Sequence, residues 1–82
     1  MQNHSFAAMT DEKTGLRKFG LRVQQIRVEN GMTQEQLAEA MDVTPLWVQQ
    51  LELGEMQVRL LLIAEIADAF QMRIADMFPA DF

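Results

Sequence analysis

Hydrogen-bonding side chains, rather than acids or nucleophiles, are what this 82-residue sequence sets at regular spacing. Thr33 stands three residues before Gln36, Thr44 directly precedes Pro45, and Gln49 and Gln50 follow about one helical turn later. A hydroxyl three residues ahead of a glutamine can accept a backbone N–H while the amide returns the bond, a capping box that opens a helix. Thr44-Pro45 makes a similar start, with an N-cap hydroxyl followed by a ring already shaped for the first helical position. Two helix starts of this kind are places where an anion can be held by side-chain and backbone donors. Material for catalysis is scarce by comparison. There is no cysteine, and the single histidine, His4, stands alone in the N-terminal segment with no serine in a usable nucleophile setting and no metal co-ligand. The carboxylates scatter over helix faces, no glycine-rich phosphate loop occurs, and the seven methionines suit core filling. An enzyme is not expected, and neither is a metal or other cofactor.

The elements that would position these residues follow from the apolar period. From Thr14 onward, Leu16, Phe19, Val23 and Ile26 recur at three- and four-residue steps, the pattern of an amphipathic helix that Asn30-Gly31 closes. A second, short helix runs from the Thr33 cap to about Met41. After a tight turn at Asp42-Val43 a third helix of about nine residues ends before Gly54, and this spacing is that of a helix-turn-helix. A fourth helix is expected over residues 58–70, and a short fifth over 73–78, stopped by Pro79. Residues 1–11 show no sustained period and are read as a flexible N-terminal tail, leaving 12–82 as one domain.

Size and charge narrow the class further. A chain of this length closes one modest core. The longest mostly apolar run, residues 60–70, is interrupted by Glu65 and Asp68 and falls short of the roughly 20 residues that cross a bilayer. With no signal-peptide pattern and no cysteine, a cytoplasmic protein is expected. The formal net charge of −5 rules against a general nucleic-acid coat, which needs Lys and Arg to displace counterions. Five of the seven bases lie in residues 1–30, whereas nine of the twelve acids lie in 31–82.

The residues now in view resemble those of the Cro and phage-repressor (Xre-like) helix-turn-helix family over roughly residues 19–78. The resemblance is carried by Gly20, Arg22-Val23, Arg27, Gly31-Met32-Thr33-Gln34-Glu35-Gln36-Leu37-Ala38, Val43-Thr44, Val48, Leu51-Glu52, Gly54 and Ile66-Ala67-Asp68-Ala69-Phe70. Around Leu60 and Ile63 the chain looks like the small single-domain regulators of that family, including controller proteins of restriction-modification systems. The resemblance implies an all-α, five-helix, lambda-repressor-like DNA-binding domain and a sequence-specific transcriptional regulator, a repressor or autoregulator, acting as a homodimer on double-stranded DNA. It also implies a structural ion pair between Arg27 and Glu52.

With Val48 and Leu51 inward, the outer face of the third helix presents Leu46, Gln49 and Gln50 as candidates for base contact, since glutamine can pair with adenine and an apolar group can meet the thymine methyl. Thr33, Gln34 and Thr44, with Lys18 and Arg22 adding charge, are the candidates for phosphate contact. Three features depart from the family's pattern: Asp42 where the turn usually has glycine, Leu53 before Gly54, and no Lys or Arg anywhere in residues 28–58. They support a second reading, a protein-interaction module of antitoxin or antirepressor type, using Leu46, Trp47 and Leu53. Finally, the fourth helix is apolar around more of its circumference than one small core can cover. Leu60, Ile63, Ala67 and Phe70 are expected inside, which leaves Leu62, Ile66 and Ala69, with Met72, Met77 and Phe78, for a two-fold dimer contact.

Overall fold

The computed structural model describes residues 12–82. The N-terminal tail expected over residues 1–11 lies outside the described residues. Five helices follow in order: α1 (Glu12–Glu29), α2 (Gln34–Met41), α3 (Pro45–Glu52), α4 (Leu60–Ala69) and α5 (Ile74–Met77), all but α5 eight residues or longer. There is no strand among the described residues. None of these helices is long and apolar enough to cross a membrane.

Both expected caps are made. Thr33 Oγ1 accepts from the Gln36 N–H at 3.0 Å while the Thr33 N–H donates to Gln36 Oε1 at 2.8 Å. Thr44 Oγ1 accepts from the Trp47 N–H at 3.1 Å, with Pro45 in the first turn of α3. Each such cap satisfies a donor that the helix cannot reach, and is worth about 1 kcal/mol.

The first four helices end in one way. A residue in the left-handed region follows each, at Gly31, Asp42, Gly54 and Gln71. The next N–H then returns five residues to a carbonyl, as Met32 to Arg27, Val43 to Ala38, Glu55 to Gln50 and Met72 to Ala67, all at 2.9–3.0 Å. This closure strongly favours glycine at the left-handed position. Asp42 takes it at φ 60° and ψ 46°, so the turn that normally uses glycine keeps its geometry with a short polar side chain that tolerates it.

α1 packs on α3 and α5, α2 packs on α3 and α4, and α4 packs on α5. The largest fully buried side chains are Leu37, Leu51, Ile66, Met77, Val23 and Val48. Two of these correct the sequence reading. Ile66 and Met77, expected at a dimer contact, have no accessible surface in the single chain. Conversely Leu60, expected inside, is 73% exposed, with Leu61 beside it at 71%. α4 begins at Leu60 rather than 58, so Leu60 and Leu61 sit at the very start of the helix, where the rest of the chain leaves them uncovered. The inward stripe is therefore Ile63, Ile66, Ala67 and Phe70, with Ile63 only half-buried.

Candidate nucleic-acid interface

The two helices of the motif meet closely. α2 and α3 are in contact, and Ala38, a small residue of α2, is fully buried in the core. α3 is pressed on α1 still more tightly at Gly20, where a Cβ would lie 2.5 Å from the carbonyl oxygens of both Leu51 and Glu52. Only a residue without a side chain fits there.

Across that contact lies the polar centre of the domain. Arg27 Nε donates to Glu52 Oε2 at 2.6 Å and Arg27 Nη2 to Glu52 Oε1 at 3.1 Å, a two-point pairing of guanidinium and carboxylate. Arg27 Nη1 donates to the Met32 carbonyl at 2.8 Å, and Gln34 Nε2 donates to Glu52 Oε1 at 2.9 Å. The two charged side chains are only 10% and 3% exposed. Among the described residues no buried side-chain nitrogen or oxygen lacks a partner. α1, the α1–α2 turn, the start of α2 and the end of α3 are thus tied by one saturated network. It fixes the angle at which α3 is presented.

On α3 the inward residues are Val48, Leu51 and Glu52, all buried. Leu46, Gln49 and Gln50 lie on the exposed side together with Leu53, Leu46 being 60% and Leu53 54% exposed. Trp47, at the edge of that face, is half-buried and packs against the core. Thr33 and Thr44 are exposed at the starts of α2 and α3. Each hydroxyl accepts one backbone N–H, and its own proton stays available to an outside acceptor.

Three residues proposed for phosphate contact have other partners. Gln34 is turned onto Glu52, as described. Lys18 and Arg22 lie on the flank of α1 that faces the chain's C-terminal segment: Lys18 Nζ donates to the Phe82 carbonyl and stands 5.0 Å from the centre of that ring. Arg22 donates through Nε to the Met77 carbonyl and through Nη2, at 3.3 Å, to that of Asp76. These are the free carbonyls at the end of α5, the usual place for a cation. Phe78 stacks on Phe19 beside them, ring centres 5.8 Å apart. No sequence signal announces these contacts, because their partners lie more than 50 residues away.

This geometry, with two capped helices at a tight turn and the second offering a polar and apolar face to solvent, defines a helix-turn-helix protein. A sequence model described as "Helix-turn-helix" matches residues 23–77. The chain therefore belongs to the helix-turn-helix family of transcriptional regulators and is not an enzyme. Among particular relatives, the uncharacterized HTH-type transcriptional regulator YgzD of Bacillus subtilis (strain 168) is 37% identical over 57 residues, covering 70% of this chain and 86% of that protein. The restriction-modification controller protein C.AhdI from Aeromonas hydrophila superposes with a TM-score of 0.76 at 31% identity, covering 83% of this chain and 99% of that one. The clp gene regulator ClgR from C. glutamicum does so with a TM-score of 0.70 at 31% identity, over 74% and 79% of the respective chains.

Proposed function

We propose that this protein is a cytoplasmic, sequence-specific repressor or autoregulator that binds a near-palindromic operator as a homodimer. The observation that carries the reading is the outer face of α3. Leu46, Gln49 and Gln50 are exposed side by side on a helix whose opposite face is locked to α1 by Arg27 and Glu52. Base edges in the major groove are read by such a helix, glutamine to adenine and leucine to a thymine methyl. Thr33 and Thr44 hold flanking phosphates from the two helix starts. Gln34 braces Glu52 and reaches phosphate only through its backbone N–H, and Lys18 and Arg22 contribute at a distance.

The two-fold contact of this reading uses the first turn of α4, supported by the exposure of Leu60 and Leu61, with half-buried Met72 and Phe78 as further apolar surface. Two α3 helices about one DNA turn, ~34 Å, apart then read half-sites of opposite direction. A second reading keeps one specific support: Leu46 and Leu53 are exposed on a face whose flanks carry no Lys or Arg, which suits a protein partner in place of DNA.

Selection from random double-stranded DNA at roughly 100 mM salt tests the first reading, since few-contact non-specific binding is weak there. Recovery of a two-fold-related motif, lost with Gln50→Ala, is the expected result. Recovery of no motif by folded protein would count against the first reading and turn the search to a protein partner for the Leu46, Trp47 and Leu53 surface.

A further inference from the structure

A second surface of the domain has a character unlike that of α3. Between the α2–α3 corner and α4 lies a cleft of about 270 Å³. Its floor is apolar, made by Met41, Val43, Trp47 and Leu62, all half-buried. Its rim carries Glu65 and Asp68, which are three residues apart on α4 and share one side of it. Both are exposed, and neither has an ion pair among the described residues.

We propose that this cleft is a docking site for an arginine, carried beside apolar residues on a partner protein, whose guanidinium stacks on Trp47 and pairs with Glu65 and Asp68. Charge complementarity selects the occupant. Two unpaired carboxylates repel phosphate, so the cleft is no extension of a DNA surface. Its volume lies below the ~300–1,000 Å³ of sites that enclose a drug-sized molecule, and suits one long side chain. A planar guanidinium can stack on an indole face while its fixed fork of donors reaches two carboxylates, whereas a lysine ammonium is a point charge with no plane to stack. Of the chain's own cations, Lys18, Arg22, Arg27 and Arg73 are engaged within it. This leaves Arg17 and Arg59 as the arginines a second copy could offer, which makes a concentration series a necessary arm of the test. Nothing in this inference requires an operator, so it stands or falls apart from the proposed DNA binding.

Trp47 is the sole tryptophan, which makes its fluorescence a direct report on the cleft. The test titrates the full chain with blocked peptides of matched length that carry leucine beside arginine, lysine or glutamate. Saturable change in Trp47 emission is expected with the arginine peptide, weaker with lysine and absent with glutamate. Glu65→Gln with Asp68→Asn should lower affinity for the arginine peptide about tenfold, whereas Glu12→Gln with Glu29→Gln, equal in charge but far from the cleft, should not. Circular dichroism of both double variants checks that the fold is kept. Equal response to the glutamate peptide, equal loss in both variants, or no response to arginine up to about 1 mM would overturn the proposal. So would emission that changes with protein concentration alone, in step with sedimentation, which would assign the cleft to a second copy. A change of the same size with a random-sequence DNA duplex, if it is altered by Glu65→Gln with Asp68→Asn, would assign it to nucleic acid.

Discussion

The helix-turn-helix half, α1 to α3, and the C-terminal half, α4 and α5, are built by different means. In the first half every helix end after the start of α1 is written locally: two threonine caps, two left-handed closures at glycine, and one at Asp42. Its buried charges are fully paired. In the second half α4 and α5 start at Arg59 and Arg73 without any side-chain cap. α4 stops at Gln71 in a conformation that favours glycine, and Leu60 and Leu61 stand in solvent. Its order comes from burial of Ile66 and Met77 and from the reach of Lys18 and Arg22 across the chain. A rigid platform for α3 calls for the first construction, and the apolar surface proposed above for a two-fold contact is compatible with the second.

The largest effect that could break this contrast is at the ion pair. Glu52→Gln strands the Arg27 charge in a buried site and should cost about 3–5 kcal/mol, a large part of the stability of a small domain. Each kcal/mol lowers the melting temperature by about 4–8 °C at this size, so thermal unfolding checks it readily. Gly20→Ala should cost about 1–3 kcal/mol in denaturant titration, because the added Cβ meets two carbonyl oxygens of α3. An unchanged midpoint would mean that α1 and α3 are not in such close contact. In the other half Leu60→Ser with Leu61→Ser should alter monomer stability by no more than about 0.5 kcal/mol in either direction. The same variant should reduce a dimer's mass to a monomer's in sedimentation, which sharpens the comparison: the residues matter to assembly and not to fold.

Smaller still is Asp42→Gly, which relieves the left-handed strain but is offset by the greater freedom of glycine in the unfolded chain, and should raise stability by only a few tenths of a kcal/mol. The smallest effect is at the surface pair of Arg73 and Asp76, 3.0 Å apart. Hydrogen bonds from Arg73, and then its charge, hold the Asp76 carboxyl below the ordinary value. Whatever stability this adds is present above the usual carboxylate range and is lost as pH falls through the lowered value. Arg73→Ala should return the Asp76 titration, followed by NMR, toward that of a free aspartate.

Most of the fold was legible in the sequence because its signals are local. Thr33, Gln36, Thr44, Pro45, Gly31 and Gly54 act on backbone groups within a few residues, and the apolar period places Val48 and Leu51 inward without reference to the rest of the chain. The pairing of Arg27 with Glu52 was legible only through family resemblance, since a separation of 25 residues leaves no periodic trace. The left-handed end at Gln71 carried no signal at all, glutamine being an ordinary helix residue.

What the sequence by itself determined is therefore the set of helices, their caps, and the face of α3 turned to solvent. Only the tertiary structure decided which apolar residues of α4 and α5 are core, which polar side chains remain free to meet a ligand, and that Trp47, Glu65 and Asp68 share one cleft. The physical reason is distance along the chain. Capping and helical period are interactions of neighbours, whereas burial of Ile66, capture of Arg22 by the end of α5 and the bond from Gln34 to Glu52 depend on where other helices come to lie.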